Sequence, residues 1–418
     1  MKEEVKAGEA GMVFALKQTF SSLSVRNFRL FALGQGISLC GTWAQMIAMA
    51  WLVLELTHSG TQLGLVVAAQ FLPILLFGAW GGVIADRFNK RRVLYFTQSI
   101  AAALAFVLGI LVICHLVQLW MVYVLAVGVG LTQVVDSPSR QAFVIEMVGK
   151  ARLKNAVALN ATLVNLGRIV GPTIAGILIV TIGIGPCFIV NALSFVALLT
   201  ALALMRTDQL HPTPPVPKEK GQIQAGLRYA WSVPEIRAVL LMIFITGIFT
   251  YEFPVVLPLM ATRTFHGGAS TYSALTAVMS AGAMGAALYT ASKGQASAKA
   301  LIRIALLFGF SIMLLALTPG VVSALIVILF VGIFSILLIA LSNATLQLTT
   351  RPEMRGRIMS FMVIAFLGTT PIGGPIIGYI SDHSNPRVGL FVGGLAAVLA
   401  AGVGYLANRH KPDHALPQ

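Results

Sequence analysis

The chain has 418 residues, of which 57% are hydrophobic and 10% charged, and its formal net charge is +15. A soluble domain carries about 25% charged residues, so this composition excludes an ordinary soluble protein. Apolar runs recur along the chain, and each is long enough to cross a bilayer as a helix. Because these runs lack the alternation of barrel strands, they predict an all-α polytopic membrane protein.

Hydropathy predicts twelve transmembrane spans, six on each side of a polar break. The first six cover 28–54, 62–85, 92–114, 119–139, 155–182 and 185–205. The last six cover 236–262, 270–291, 299–317, 321–346, 357–381 and 387–407. The domain organisation that follows is an N-terminal segment 1–27, a six-helix half 28–205, a linker 206–235, a second half 236–407 and a tail 408–418.

The segments outside the spans are polar or short. The linker contains "RTDQLHPTPPVPKEKGQIQ", whose prolines and charges indicate an exposed connection. Near the N-terminus no cleavable signal peptide is predicted, because the apolar stretch is too short. We expect "MVFALKQTF" (12–20) to lie at the membrane surface instead.

Basic residues are concentrated on one side of the predicted bundle. They occur before span one, in the linker and in the loops after spans two, four, eight and ten, whereas the other side has only Arg263 and Arg387. By the positive-inside rule, both termini and the linker are predicted to be cytoplasmic, in an inner or plasma membrane. The charge therefore indicates topology and contact with membrane lipids, and no nucleic-acid partner is expected without a soluble domain to bind it.

The two predicted halves resemble each other in sequence. "KARLKNAV" (150–157) corresponds to "RPEMRGRI" (351–358), and "GRIVGPTIAG" (167–176) to "GTTPIGGPIIG" (368–378). Two related halves around a central cavity are typical of secondary transporters that rock between two states. The alternative is that glycine-rich helices resemble one another by chance.

The loop between spans two and three, "GGVIADRFNKRRVL" (81–94), contains one acid and four bases. Together with twelve spans and a central linker, it resembles the loop signature of the major facilitator superfamily. The matching positions are Gly82, Asp86, Arg87, Lys90 and Arg91, and Gly82 is expected to allow close packing. Asn89 replaces the signature's glycine, and because Asn tolerates left-handed backbone, we expect the turn to survive. The resemblance covers essentially the whole chain and implies the two-half facilitator fold.

Span five contains a second motif, Gly167, Gly171, Pro172, Ala175 and Gly176. It is similar to the antiporter motif of exporters in this superfamily, with Ala175 in place of a glycine. In the family the bend at proline is thought to seal the outward side. Glycine-rich packing without directional meaning is the alternative. The stretches "WLVLELTHSGTQLGL" and "DSPSRQAFVIEMV" are most similar to the drug–proton antiporter branch, which holds macrolide-efflux and siderophore-exporter proteins.

The energy source is predicted to be an ion gradient. No Gly-x-x-x-x-Gly-Lys-Ser/Thr loop is present to bind ATP phosphates, and the resemblance implies protons. Glu252 is the deepest carboxylate in the predicted spans, and it either carries the coupling proton or is a structural acid paired with another helix. Glu55, near the outer end of span one, and Asp136, in span four, are the other candidates, although Glu55 is equally consistent with an acid facing water.

Two arginines are singled out by their positions. Arg168 is the only base squarely within a span, so it either binds an anionic substrate, holds a proton-linked acid or locks two helices. Arg140 lies one turn after Asp136, which suits an i,i+4 ion pair. The family resemblance also makes Arg140 the candidate partner of Asp86, in a latch that closes the cytoplasmic side in the outward-open state.

Scarce polar side chains and pliable apolar ones are the candidates for substrate contact, although packing explains each of them equally well. They are Gln35, Trp43, Gln45, Met49, Asn160, Asn165, Arg168, Phe249, Tyr251, Asn343 and Gln347.

No catalytic or metal-binding pattern is found, and the three cysteines lack CxxC spacing, so neither an enzyme nor a cofactor is predicted. The predicted function is a proton-coupled antiporter that exports amphiphilic, drug-like compounds by alternating access and confers multidrug resistance. We expect a monomer, with small-molecule substrates, protons and membrane lipids as partners. The alternatives are an exporter of a specific metabolite such as a siderophore, or a lipid flippase of the same fold. A non-transporting sensor is disfavoured because the linker of about 30 residues is too short for a signalling domain.

Overall fold

A computed structural model describes residues 21–211, 222–293 and 297–409, and every regular element in these ranges is helical. Eleven segments are long and apolar enough to cross a membrane. The 25-residue helix Ala269–Lys293 lies in the eighth position and completes a set of twelve long segments in the described ranges. The predicted all-α polytopic fold is confirmed. The stretch 12–20, expected at the membrane surface, lies outside the described residues, as does most of the tail.

The spans have the following bounds. Spans one to six are Arg26–Thr57, Gly60–Arg87, Lys90–Ile113, Leu119–Gly149, Ala151–Ile182 and Gly185–Ala203. Span seven is Pro234–Phe249 followed by Phe253–Leu259, and spans eight to ten are Ala269–Lys293, Ala298–Ala316 and Val321–Thr349. Span eleven is Arg355–Leu367 followed by Thr370–His383, and span twelve is Pro386–Arg409. Short 3-10 turns occupy Ser21–Ser24, Thr207–Gln209 and Pro352–Met354, a π-helical turn occupies Met260–Thr264, and a surface helix occupies Gln222–Ser232.

Spans four and five are longer than hydropathy predicts. Their helices continue past 139 and begin before 155, and they are separated only at Gly149, whose φ of +69° and ψ of 177° are not helical. Glycine adopts a positive φ without the steric cost of a side chain. Polar composition marks where a helix leaves the apolar layer and not where it stops. The predicted end of span four was therefore too early, and the predicted start of span five too late.

The linker is anchored at both of its flanks. On its first side, the Asn27 amide and the Arg206 backbone exchange two hydrogen bonds of 2.7 and 3.0 Å, and the His211 N–H donates to the Glu146 carbonyl at 2.8 Å. On its second side, the surface helix ends next to span eleven, where the Arg351 N–H donates to the Tyr229 hydroxyl at 3.2 Å. This helix lies inside the range predicted to be an exposed connection.

Two helix crossings join the six spans of residues 26–203 to the six of residues 234–409. Span two packs against span eleven, and span five against span eight. We call the end of the bundle where span one begins the near side, and the opposite end the far side. Both crossings are closest at the far side. A Cβ on Gly64 would lie 2.2 Å from the Gly374 carbonyl oxygen, and one on Gly176 would lie 2.9 Å from the Ser273 Cβ. Glycine at these positions therefore permits far-side closure.

Spans seven and eleven are broken, and the breaks lie against each other. Span seven is interrupted after Phe249, and span eleven after Leu367, and each second segment has proline near its start. Proline cannot donate the backbone bond that would continue a helix. A Cβ on Gly373 would lie 2.0 Å from the Ile248 carbonyl oxygen, so the two broken spans are in direct backbone contact. This contact positions Glu252, which caps the second segment of span seven.

Candidate transport site and gates

Arg168 projects from span five onto span one. Its guanidinium carbon lies 5.0 Å from the centroid of the Trp43 ring, a cation–π distance. Two glycines of the span-five motif bring these helices together. A Cβ on Gly167 would lie 2.9 Å from the Leu39 Cβ, and one on Gly171 would lie 2.5 Å from the Trp43 Cβ. The first half of the motif therefore positions Arg168 and Trp43, and Gly176 contacts the other half of the protein.

Arg168 has no hydrogen bond or ion pair to any residue that the structure describes, and its Nε is buried without a partner. Its side chain is half-buried. Across the interface, Tyr251 of span seven is close enough to interact with Arg168 electrostatically. The guanidinium thus lies where the two six-span sets face each other.

Tyr251 belongs to an aromatic cluster of spans seven, nine and eleven. Its ring centroid lies 6.2 Å from that of Phe253, 5.3 Å from Phe308 and 4.8 Å from Phe366. Its hydroxyl donates to the Ser335 carbonyl of span ten at 2.8 Å. The cluster gives the second six-span set a fixed apolar wall opposite Arg168.

Glu252 is only 2% exposed, and both of its carboxylate oxygens are buried without a hydrogen-bond partner among the described residues. A Cβ on Gly373 would lie 2.7 Å from its Oε1, so glycine provides the room that the carboxylate occupies. A small cavity adjoins it, lined by Phe249, Thr250, Glu252, Phe253, Val256, Ile312, Gly389, Leu390 and Gly393. No basic side chain lines this cavity. The structural alternative for Glu252, a pair with a neighbouring helix, therefore has no counterpart in the described residues.

Asp136 and Arg140 form the predicted i,i+4 pair, with 3.0 Å between the Arg140 Nε and the Asp136 Oδ2. The other carboxylate oxygen accepts from the Thr97 hydroxyl at 2.9 Å and the Gln98 amide at 2.7 Å. Arg140 also donates to the Gln35 side-chain carbonyl. Spans one, three and four are joined by this network, and both oxygens of Asp136 are engaged in it.

The side chain of Asp86 lies outside the described part of the structure, so its pairing with Arg140 remains a prediction. The rest of the loop signature has structural partners. Lys90 is 8% exposed and pairs with Glu146 at 3.0 Å. Arg91 donates from Nε to the Leu202 carbonyl at 2.8 Å, which ties the loop to the end of span six. Arg87 is exposed.

The expected turn is present, because span two ends at Arg87 and span three begins at Lys90, but two details of the loop differ from expectation. Asn89 is not left-handed, because its φ is −62°, and its side chain instead accepts from the Arg92 N–H at 3.1 Å as the N-cap of span three. Capping is a frequent role of Asn, and it removes the need for glycine at this position. Close packing was expected at Gly82, yet nothing described lies within 4 Å of a Cβ placed there. The tight contact falls on Gly81, where a Cβ would lie 1.9 Å from the Val134 carbonyl oxygen of span four.

Several other candidates for substrate contact are held by the protein itself. Gln35 is engaged by Arg140, Gln45 accepts from the Asn191 amide at 2.6 Å, and Met49 is 8% exposed in the apolar core. The remaining candidates are half-buried or exposed. They are Asn160, Asn165 and Asn343, which are half-buried, and Gln347, which is exposed towards the near end of span ten. Glu55 is also exposed, at the far side.

The far side contains a clasp that sequence reasoning missed. Asp382, at the end of span eleven, accepts hydrogen bonds from the Gly60 and Thr61 N–H groups at 2.6 and 2.7 Å. The Ser59 and Thr61 hydroxyls also donate to it, at 2.7 and 2.6 Å. These donors form the N-terminus of span two, which carries partial positive charge. Arg263 of span seven completes the clasp, 2.9 Å from Asp382, and donates to the His58 carbonyl at 2.6 Å.

Comparison with known proteins identifies the family. Residues 17–415 match the family described as transmembrane secretion effector, MFS_3. The chain belongs to the major facilitator superfamily. It is 24% identical to the staphyloferrin A transporter of Staphylococcus aureus over 384 residues, covering 88% of this chain and 93% of that protein. It is 26% identical to the multidrug efflux pump Tap of Mycolicibacterium fortuitum over 355 residues, covering 82% and 87%. It is 25% identical to the enterobactin exporter EntS of Salmonella typhimurium over 384 residues, covering 89% and 90%.

Solved structures share the fold. A bacterial homologue of the human lysosomal transporter Spinster, in an inward-facing and unoccupied conformation, superposes with a TM-score of 0.74 at 16% identity, covering 92% of this chain and 96% of that one. The peptide-transporter family member PepTSo gives a TM-score of 0.74 at 13% identity, covering 92% and 98%. The chain is therefore a multi-pass membrane transporter of the efflux type, acting on small molecules, and is not an enzyme.

Proposed function

We propose that this transporter is a proton-coupled antiporter that exports amphiphilic, drug-like compounds from the cytoplasm by alternating access, as a monomer in the inner or plasma membrane. The buried, unpartnered carboxylate of Glu252 is the observation that carries the proposal. The near side holds both ends of the described chain, near Ser21 and Arg409, and most of the basic loops, so the positive-inside rule supports a cytoplasmic near side.

Glu252 has the features that proton coupling requires. An ionised carboxylate inside a membrane span needs a counter-ion or polar partners, and Glu252 has neither among the described residues. It caps a helix segment at the break of span seven, next to span eleven, and discontinuous helices at mid-membrane are common ion sites in transporters. The proposal is that Glu252 binds a proton when the far side is open, carries it inward as the far side closes, and releases it to the cytoplasm before the substrate-loaded bundle rocks outward again.

The far-side contacts support alternating access. The glycine crossings and the Asp382 clasp close one end of the boundary between the six-span sets, whereas nothing described lies within 4 Å of a Cβ placed on Gly82 at the other end. Contacts that close one end at a time are what alternating access needs, because both gates open together would leak the gradient. We propose that this arrangement is the cytoplasm-open state.

We propose that the loop between spans two and three closes the near side when the far side is open. We propose that Asp86 approaches Arg140 and the start of span eleven near Arg357 when the far side opens. Arg140 is held by Asp136 and Gln35 here, so the approach requires Arg140 to share or exchange partners. Asp86→Asn is expected to slow transport, and unchanged transport rates would leave the loop as a topology signal only.

A second candidate function is export of one specific metabolite, such as a siderophore. Two of the similar proteins are a staphyloferrin A transporter and an enterobactin exporter, whereas Tap is a multidrug efflux pump. A deletion strain distinguishes the two candidate functions. Its survival is measured across toxic compounds, together with its release of iron-binding metabolites. Broad sensitisation supports the drug exporter, and a single retained metabolite supports the specific exporter.

Proteoliposomes test the coupling. Liposomes with an acidic lumen should accumulate at least one of a panel of cationic, neutral and anionic amphiphilic dyes, and Glu252→Gln should abolish that accumulation while sparing dye binding. Glu353→Gln is the matched control, because it removes an exposed carboxylate that is not a coupling candidate. Dye uptake that is indifferent to the gradient contradicts proton coupling. Gradient-driven uptake that survives Glu252→Gln would transfer the role to Glu55 or Asp136.

A further inference from the structure

We infer that Arg168 binds a carboxylate of the exported compound, so that the substrate class is amphiphilic organic anions. This inference rests on the proposed export function and specifies its substrate. Of the three roles expected for an arginine within a span, the contacts of Arg168 favour substrate binding over a helix lock or a pair with a proton-linked acid.

The positive charge of Arg168 has no acidic partner among the described residues. Arginine stays protonated in proteins, so a membrane-embedded guanidinium needs an anion or several acceptors. Three other charged groups of the described bundle have found such partners. Arg140 pairs with Asp136, Lys90 with Glu146, and Arg263 with Asp382. Among the described residues, Arg168 has the face of Trp43 and an electrostatic interaction with Tyr251, but no anionic partner and no hydrogen-bond acceptor.

A helix lock would not leave the side chain in this state. A locking arginine donates to carbonyls of the neighbouring helix, as Arg387 does to Ala316 and Thr318 at 2.8 Å each. Arg168 makes no such bond among the described residues, although the glycines of its own helix bring span one into backbone contact. The cation–π contact with Trp43 uses none of the guanidinium N–H donors as hydrogen bonds to a described acceptor, so the hydrogen-bonding edge is left for another molecule.

The proton-linked acid is also unsuitable as the partner. The Glu252 carboxylate lies against Gly373 and beside a cavity lined by spans seven, nine and twelve. Arg168, in contrast, projects from span five onto Trp43 of span one. The cavity residues do not include Arg168. The two unmatched groups therefore occupy separate surroundings in this state.

The surroundings of Arg168 suit an amphiphilic anion. Only Nε is fully enclosed and the residue is half-buried, so the terminal nitrogens of the guanidinium are partly accessible. The aromatic cluster around Tyr251 belongs to the other six-span set, and Tyr251 is within electrostatic range of the guanidinium. A planar carboxylate fits the guanidinium fork, and an apolar or aromatic body fits the cluster. Such a compound would contact both sets at once, which is where a substrate must be held for rocking to transport it.

A matched pair of probes tests the assignment. Dansylglycine and dansylglycinamide share one aromatic body and differ in the carboxylate, and their binding to the purified protein in nanodiscs is measured by equilibrium dialysis. We expect wild type to bind the acid at least about tenfold more tightly than the amide, which corresponds to about 1.4 kcal/mol. Arg168→Gln should bind the two alike, and Arg168→Lys should keep only part of the preference, because it retains charge without the planar fork. Arg355→Gln, at an exposed near-side arginine, should keep the full preference.

The outcomes separate this inference from the proposed function. Wild type that binds acid and amide alike, or binds neither, overturns the carboxylate site whether or not the Arg168 variants fold. Arg168→Gln that retains the preference overturns it as well. Gradient-driven export of a neutral or cationic dye alongside any of these results would leave the proton-coupled exporter in place. Loss of the acid preference in Glu252→Gln would show that the anion site is not separate from Glu252, contrary to the assignment.

Discussion

Asp382→Asn should open the far side of the transporter. The substitution keeps one carbonyl acceptor but removes the negative charge and the second carboxylate oxygen from the clasp on span two. Hydrogen bonds to a charged group contribute about 1.5–3 kcal/mol each. The ion pair with Arg263 adds little, because the Arg263 side chain is 34% exposed. These contacts belong to the far-side-closed state alone.

The size of the shift follows from that loss. Asparagine still accepts some of the hydrogen bonds, so we take a net loss of about 2 kcal/mol, close to the value of one charge-assisted bond. The ratio of far-side-open to far-side-closed molecules should then rise about thirtyfold. Transport should slow, because the cycle must return through the destabilised closed state.

Cysteine labelling measures the opening. Ser273 is 4% exposed and packs on Gly176 in the second far-side crossing, so a cysteine there is covered when the far side is closed. Ser273→Cys is introduced after the three native cysteines have been replaced, and a membrane-impermeant maleimide is added from the far side. Asp382→Asn should raise the labelling rate by about the same thirtyfold factor.

A control separates the loss of the clasp contacts from the loss of a negative charge at the far side. Glu55→Gln makes the same charge change at the far side on an exposed residue, so it should leave labelling unchanged. A labelling rate for Asp382→Asn within about twofold of the parent would refute the clasp as a determinant of closure. An equal rise with Glu55→Gln would assign the effect to general electrostatics instead.

Three further predictions concern packing and stability. Gly64→Ala should block transport and raise far-side labelling, since its Cβ would lie 2.2 Å from the Gly374 carbonyl oxygen, and normal transport would contradict the tight crossing. Lys90→Met should lower stability by about 1.5–3 kcal/mol, because it removes the charged partner that lies 3.0 Å from the buried carboxylate of Glu146. Adding Glu146→Gln should restore part of the melting temperature, and a double variant no more stable than the single one would exclude the pair as the cause. Gly149→Ala places a side chain at a φ of +69°, so it should cost about 1–2 kcal/mol, and an unchanged melting temperature would argue against that backbone conformation.

Sequence reasoning succeeded where the determining contacts are local. The spans follow from hydropathy, and the Asp136–Arg140 pair follows from the spacing of one helical turn. Arg168 stood out because it is the only base well inside a span. Its cation–π partner Trp43 was also among the candidates for substrate contact. The sequence does not indicate that the two residues meet, because their contact depends on the packing of span five against span one.

The contacts that were missed join distant parts of the chain. Asp382 and Thr61 are 321 residues apart, so neither span indicates the other without a fold. A weaker signal was present, because Arg263 is one of only two bases on its side of the membrane and Ser59 stands at a helix start. Gly81 and Gly82 illustrate a finer limit. Adjacent residues on a helix point about 100° apart, and sequence alone did not determine which of them faces span four.

The anchoring of the linker limits how far the two halves can separate. Because His211 is bonded to span four and the surface helix to span eleven, the covalent tether between the six-span sets is shortened to residues 212–221. Ten residues reach at most about 35 Å when fully extended, whatever conformation they adopt. The separation of the two anchor points is therefore bounded by the length of this tether for as long as both anchors hold, and lengthening it within 212–221 would raise that bound without altering a residue of the candidate transport site.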